Sequence, residues 1–128
     1  MNNAKIKTFT DLNTWKESHK LLLLIYRETK KFPKEEMFCL TSQMRRAALS
    51  VTSNIAEGFG RQGLKEKIQF YYIAQGSITE LKNQILAAKD IGYISKDILN
   101  ELALQANASH RLLQGLITKT KTFVIHKS

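Results

Sequence analysis

Hydrophobic residues recur every three or four positions along most of this chain, which is the spacing of one face of an α-helix. In the segment 40–60, five apolar residues form one such stripe: Leu40, Met44, Ala48, Val51 and Ile55. A second line of residues runs beside the stripe and ends at Arg61. We call its first five residues the polar seam: Gln43, Arg46, Ser50, Asn54 and Glu57. We assign Glu80 of the third predicted helix to the same structural set. A merely solvated helix face rarely looks so ordered. We therefore expect the polar seam to pack against neighbouring helices.

The same periodicity predicts four helices, at residues 11–32, 41–59, 64–91 and 95–124. Short polar residues are placed to cap the starts of three of them: Asp11, Thr41 or Ser42, and Ser95. Phe32 should end the first helix, because a residue that precedes proline is disfavoured in the helical region. Gly92 should end the third. Helices of this length, joined by short turns, predict a single all-α domain over residues 1–128, an antiparallel up-down-up-down four-helix bundle.

The antiparallel order predicts which residues lie level with one another. About the turn centred near Gln62, small residues should let two backbones approach closely: Ala47 and Ala48 against Gly76 and Ser77. Two carboxylates each have a basic residue at the same level, which favours structural ion pairs over acid–base catalysis: Arg46 with Glu80, and Glu57 with Lys67. Gly115 should lie opposite Tyr71 and Tyr72 and leave room for their rings. Both tyrosines fall within the helical pattern of the bundle, so we assign them to the core.

Two short segments are apolar on every side of their helices, Leu21–Ile25 and Phe70–Ile73. The core of one bundle covers only one side of a helix, so part of each segment is left over. We expect other subunits to bury the remainder, and the chain is predicted to be a homo-oligomer.

The chain of 128 residues carries 20 basic and 11 acidic side chains, a formal net charge of +9. This balance favours an acidic partner such as nucleic acid, an anionic membrane or an acidic protein, although it also fits lysines that only keep a protein soluble. The single cysteine, Cys39, cannot form an internal disulfide and fits a reducing compartment. No apolar run resembles a signal peptide or approaches the ~18 residues that span a bilayer. We expect a cytoplasmic protein without membrane contact.

The basic residues are unevenly distributed in the predicted bundle. The chain start, the turn between the second and third helices, and the chain end meet at one pole, the basic end, which gathers eight of them: Arg61, Lys65, Lys67, Lys119, Lys121, Lys5, Lys7 and Lys127. Three acidic residues lie there, Asp11, Glu57 and Glu66, so five positive charges remain; the opposite pole has five basic against four acidic residues. The first seven are candidate nucleic-acid-binding residues. Contacts to phosphates predict binding that is salt-sensitive and directed by shape.

Six short motifs follow one another at residues 9–15, 32–36, 40–47, 50–61, 74–81 and 92–94, and the most specific is the string NIAEG at Asn54–Gly58. This pattern resembles the bacterial four-helix-bundle proteins encoded in 23S rRNA intervening sequences, over about residues 9–117. The resemblance implies a ring-shaped homopentamer. It also implies a relationship to the basic, pentameric accessory protein of diversity-generating retroelements, for which nucleic-acid binding is proposed.

Signs of catalysis are weak. Gly58, Gly60 and Gly63 match the spacing of a dinucleotide-binding fingerprint, but a predicted helix precedes them, so we interpret them as a helix stop and turn. The three histidines show no metal-ligand spacing: His19, His110 and His126. We expect no enzymatic activity, no cofactor and no bound metal. The leading hypothesis is an oligomeric protein that binds nucleic acid, RNA before DNA. The alternative is a scaffold or adaptor that docks an acidic protein.

Overall fold

The structure of the chain, a computed structural model, describes residues 5–127. Four helices make up most of it: α1 (Asn13–Thr29), α2 (Leu40–Gly60), α3 (Leu64–Ile91) and α4 (Lys96–Lys127). Two short 3-10 turns precede α1 and α2: Phe9–Asp11 and Lys34–Glu36. No strand occurs within residues 5–127. The predicted all-α fold with four helices is confirmed.

Each helix packs against two others, because α1 and α3 both contact α2 and α4. The buried side chains form two clusters along the bundle. One lies toward the α2–α3 turn and includes Val51, Ile55, Tyr71, Ile78 and Leu113. The other is built around Leu21, Ile25, Leu81, Ile85 and Leu102. All ten are at most 2% exposed, and burial of one such side chain contributes about 1.5–3 kcal/mol to stability.

Two of the predicted helix caps are wrong. Asp11 does not begin α1; its carboxylate accepts hydrogen bonds from the backbone N–H of Lys7 at 2.9 Å and of Thr8 at 3.0 Å, and it closes the preceding turn. These two backbone donors lower the pKa of Asp11. The second helix begins at Leu40, before the expected Thr41 or Ser42, because the Glu36 carboxylate accepts the Leu40 N–H at 3.1 Å. The Glu36 carboxylate, from the connecting turn, thus takes the capping role that was predicted for Thr41 or Ser42.

The turn between α3 and α4 follows its prediction. Gly92 ends α3 with a φ of 101°, a left-handed conformation that favours glycine, and the Tyr93 N–H donates back to the Ala88 carbonyl at 2.8 Å. Ser95 then accepts the Ile98 N–H at 3.2 Å and caps α4. Only α1 ends early, at Thr29, three residues before Phe32.

The glycine that makes room for an aromatic ring is Gly58, not Gly115. A Cβ atom added at Gly58 would lie 2.6 Å from Cε1 of Tyr71, whose side chain is 2% exposed. Gly115 and Gly76 are exposed, and an added Cβ would meet nothing within 4 Å at either. The predicted close approach at Gly76 and the predicted space beside Gly115 are therefore wrong, because both glycines face away from their neighbouring helices.

Most of the polar seam faces outward, contrary to its prediction. Ser50 and Asn54 are half-buried, and the Ser50 hydroxyl lies 2.8 Å from the Ser77 hydroxyl of α3. The other three seam residues are exposed: Gln43, Arg46 and Glu57. Glu80 is exposed as well and accepts a hydrogen bond from Gln84 at 3.1 Å. The predicted Arg46–Glu80 ion pair is absent among the described residues, because both side chains point away from the contact between α2 and α3.

The two segments that were apolar on every side keep uncovered side chains. Leu21 and Ile25 are buried, whereas Leu23 between them is 57% exposed. On α3, Tyr72 is 43% and Ile73 is 53% exposed. The assignment of Tyr71 to the core is confirmed, and that of Tyr72 is wrong.

Candidate nucleic-acid interface

Three distant parts of the chain meet around one apolar cleft, which we call the basic-end cleft. Ile6 from the chain start, Leu64 from the start of α3, and Lys119 with Phe123 from α4 all line it. The cleft therefore lies where the predicted basic end was expected. Of the seven candidate residues, Lys67 and Lys119 line the cleft and Lys65 follows Leu64. Lys5 and Lys7 lie on the chain start, Lys121 lies on α4, and Arg61 lies at the end of α2.

Arg61 is held in place at the end of α2. Its guanidinium donates to the Glu57 carboxylate at 3.1 Å and lies over the Phe70 ring, 4.7 Å from the centroid. Both charged side chains remain largely exposed, so the ion pair is solvated and contributes at most about 1 kcal/mol. Arg61 is thus oriented but still accessible to a ligand.

Lys67 is engaged inside the protein. Its ammonium donates to the backbone carbonyls of Phe59 at 2.6 Å and Gly58 at 3.4 Å, which are acceptors at the C-terminal end of α2. A cation at this position complements the partial negative charge of a helix C-terminus. Burial lowers the pKa of Lys67. The predicted Glu57–Lys67 ion pair is wrong, because Lys67 turns to the carbonyls while Glu57 turns to Arg61.

The remaining candidate cations reach outward. Lys121 lies over the exposed Tyr72 ring, 5.0 Å from its centroid. The four others have exposed side chains, and none forms an ion pair with a carboxylate among the described residues: Lys65, Lys119, Lys5 and Lys7. Ammonium groups without carboxylate partners keep their full charge available to an anion.

Ion pairing is much denser away from the basic end. Near the far end of α1, Arg27 donates to Glu101 at 2.7 Å and to the buried Glu28 at 2.7 Å, and Lys31 lies 3.5 Å from the same Glu28 carboxylate. The Arg27–Glu101 hydrogen bonds lower the pKa of Glu101. At the basic end, Arg61–Glu57 is the ion pair formed by the described residues. The basic end thus has both the larger excess of positive charge and fewer ion pairs that neutralise it.

The aromatic rings at the basic end were missed by the sequence reasoning. Phe59, Phe70 and Tyr72 each lie beneath a cationic side chain, at 4.7–5.3 Å from ring centroid to charge, and Phe123 is 49% exposed. These aromatic residues lie close in the sequence to basic residues at the helix ends, and this proximity could have predicted the contacts between them. Helical periodicity alone had assigned Tyr72 to the interior.

The histidines are dispersed. His19 stacks on Trp15 with the ring centroids 4.6 Å apart, and Nδ1 of His110 lies 2.8 Å from the Lys82 ammonium. Burial, with a smaller contribution from Lys82, lowers the pKa of His110. The side chain of His126 lies outside those that the structure describes. No group of three metal-ligating side chains occurs in the described part of the chain. None of its helices is long and apolar enough to cross a bilayer.

Comparison with protein families matches residues 10–115 to the family described as 23S rRNA-intervening sequence protein. Among solved structures, the chain is similar to a crystal structure of a protein of unknown function from the S23 ribosomal protein family of Bacteroides thetaiotaomicron VPI-5482. The TM-score is 0.76 with 20% sequence identity, over 82% of this chain and 95% of that chain. At this identity the likeness shows a shared fold. A search among curated proteins gives no significant match.

Proposed function

The chain belongs to the family of 23S rRNA-intervening sequence proteins, and from this premise we propose that it is a non-enzymatic, oligomeric nucleic-acid-binding protein whose ligand is RNA. The observation that carries the proposal is the basic end. There, exposed basic side chains come from the chain start, the α2–α3 turn and α4, and of those that the structure describes Arg61 alone forms an ion pair with a carboxylate. Phosphate backbones are the anions that such an array of separate cations fits, because each phosphate can meet its own lysine.

The proposed assembly is a homopentamer of antiparallel up-down-up-down bundles. The contacts Ser50–Ser77 and Lys67–Gly58 support the antiparallel order, because they join the end of α2 to the start of α3 and earlier residues of α2 to later ones of α3. Exposed apolar side chains such as Leu23 and Ile73 support oligomerisation. Five subunits is an expectation from the family resemblance. A ring would repeat the basic end around its axis and multiply the charge presented to one RNA.

Charge reversal tests the proposal. The test variant carries Lys65→Glu, Lys119→Glu and Lys121→Glu, and leaves Lys67 intact because its ammonium holds the end of α2. The control carries Lys30→Glu, Lys34→Glu and Lys96→Glu, three exposed lysines at the opposite pole. Both variants change the net charge equally. Fluorescence anisotropy with a labelled structured RNA then measures affinity as the salt concentration is raised.

The test variant should bind RNA far more weakly, and its affinity should depend less on salt. Each lost phosphate contact makes the negative slope of log affinity against log salt shallower by about 0.7–0.9. The control should keep most of the affinity. Equal losses in both variants would show that only total charge matters and would contradict the assigned surface. No RNA binding by the wild-type protein, together with a partner that survives nuclease treatment in a pull-down, would indicate an acidic protein partner instead.

A further inference from the structure

The basic-end cleft is small and mostly apolar. Its volume is about 260 Å³, below the range of about 300–1,000 Å³ typical of sites for drug-sized molecules. Phe59, Leu64, Leu116 and Phe123 supply apolar walls. The Phe123 ring is 49% exposed, so an entering planar group can lie against it without displacing core side chains.

Basic residues line this apolar space or stand next to its lining residues in the sequence. Lys119 lines the cleft, and Lys65 directly follows the lining residue Leu64. Lys5 and Lys7 flank Ile6, another lining residue. An apolar cleft with exposed lysines on the segments that line it fits a ligand in which a flat apolar group is joined to phosphates on both sides. A nucleotide within a nucleic-acid strand has this form.

The neighbouring rings extend the same pattern beyond the cleft. Arg61 over Phe70 and Lys121 over Tyr72 each place a cation against an aromatic face near the surface. Aromatic faces next to cations are the usual means by which proteins hold unstacked bases along a charged backbone path. A base inside a regular duplex has both faces covered by its neighbours, so it offers no free face to these rings.

We propose that the basic-end cleft receives the base of an unpaired RNA nucleotide against Phe123, while Lys119 and Lys65 hold the adjacent phosphates. This inference rests on the proposed RNA-binding function and makes it more specific. The protein would select bulges, loops or single strands over uninterrupted duplex. Its sequence preference would be weak, because every base has an aromatic face.

Two RNA hairpins test the inference, one fully paired and one with the same stem and a single unpaired purine. Anisotropy titrations at fixed salt compare both RNAs with the wild type, with Phe123→Ala and with the control Phe38→Ala. Phe38 is 91% exposed and precedes α2 at the opposite pole. Both substitutions remove an exposed ring without altering charge, and circular dichroism checks that each variant is folded.

The wild type should bind the bulged hairpin more tightly than the paired one. Phe123→Ala should weaken binding of the bulged hairpin by about 5- to 150-fold, the effect of losing one base–aromatic stack, and leave the paired hairpin nearly unaffected. Phe38→Ala should change neither. Equal wild-type affinity for both hairpins would overturn the base site while leaving RNA binding intact. No affinity for either would overturn the proposed function and the base site together. A further outcome would also overturn the inference: the protein binds a fatty acid, this binding requires Phe123, and the two hairpins bind equally well. The cleft would then be assigned to an amphiphilic acid.

Discussion

Gly58 offers a sharp test of how α2 and α3 pack at the basic end. In Gly58→Ala the new Cβ would meet three atoms of α3: Cε1 of Tyr71 at 2.6 Å, Cδ1 of Tyr71 at 2.9 Å and Cβ of Phe70 at 3.0 Å. Carbon atoms pack favourably at about 3.5–4.0 Å, so the nearest contact is too short by about 1 Å. The Tyr71 ring is 2% exposed and packs in the core cluster with Ile55 and Leu113. It cannot move aside without disturbing those neighbours.

The sign of the effect follows from two opposing magnitudes. Alanine is a better helix former than glycine by about 0.8–1.0 kcal/mol in a helix interior, and this favours the variant. Overpacking a well-filled core costs about 1–3 kcal/mol, occasionally more. Because the new Cβ strikes a buried ring with a contact too short by about 1 Å, we expect the steric cost to lie in the upper part of this range, at about 2–3 kcal/mol. The net loss in the free energy of unfolding is then about 1–2 kcal/mol. For a chain of this size that corresponds to a fall in Tm of about 3–10 °C.

Gly60→Ala is the matched control, since an added Cβ there would meet nothing within 4 Å and Gly60 has no positive φ. Its stability should be unchanged or slightly higher. Urea unfolding followed by the fluorescence of the single tryptophan, Trp15, reports directly on this region, because Trp15 packs against the same core cluster. All variants are compared at one protein concentration, since assembly would otherwise alter the apparent stability.

A third variant identifies the cause. Replacing Tyr71 with leucine removes the ring that the new Cβ would strike, so Gly58→Ala should cost less in the Tyr71→Leu background than in the wild type. This coupling separates a clash from a general weakening of the α2 end. If Gly58→Ala proved as stable as Gly60→Ala, or if its cost were the same in both backgrounds, the assigned close approach would be refuted.

Two further predictions concern the ends of the helices. Lys67→Met should lower the free energy of unfolding by about 1–2 kcal/mol in urea, because the hydrogen bonds to the α2 carbonyls and the charge at the helix end are both lost. The control Lys65→Met, at an exposed position, should stay within about 0.5 kcal/mol of the wild type. An equal loss in both variants would argue against capping of α2 by Lys67. The second concerns Glu36, whose pKa is lowered from its ordinary value of 4.5, first by the hydrogen bond from the Tyr93 hydroxyl and then by the Leu40 N–H. A lowered folded-state pKa gives stability that is fully present above about 4.5 and is lost as the pH falls, so Tyr93→Phe should lose less Tm between neutral and acidic pH than the wild type does; an unchanged pH dependence would contradict this.

The sequence was sufficient to predict the four helices, because periodicity, Gly92 and Ser95 carry local signals that tertiary contacts did not overrule. Periodicity could not say which polar line faces a neighbour. The polar seam lies about a third of a turn from the apolar stripe at 100° per residue. At that angle, small differences in helix rotation decide between burial and exposure. Ser50 and Asn54 are half-buried, and Ser50 contacts Ser77 of α3, whereas Arg46 and Glu57 are exposed.

The prediction of which α2 residue lies opposite which α3 residue was wrong for a related reason. Ser77 was expected opposite Ala47, but its hydroxyl meets Ser50, three residues later and nearly one helical turn away. Each Cα–Cβ bond tilts toward the N-terminus of its own helix, so a given level is covered by a residue about one position later. In the proposed antiparallel arrangement this shift adds on both helices. Tyr71 is displaced in the same direction but further, because it lies against Gly58, five residues after the Ser53 that is level with it about Gln62.

These geometric shifts also explain why the position of the candidate site could be predicted from the sequence, whereas the role of each side chain in it could not. Helix order alone brings the chain start, the α2–α3 turn and the end of α4 together, and the structure places all three around one cleft. The role of each cation depends on side-chain direction, which the sequence does not give. Lys67 turns inward and closes the end of α2, whereas Lys65 and Lys119 are exposed. The division matters for the proposed RNA binding. If the proposal holds, neutralising Lys67 would weaken binding only through the loss of structure, whereas neutralising Lys65 or Lys119 would weaken it at unchanged stability.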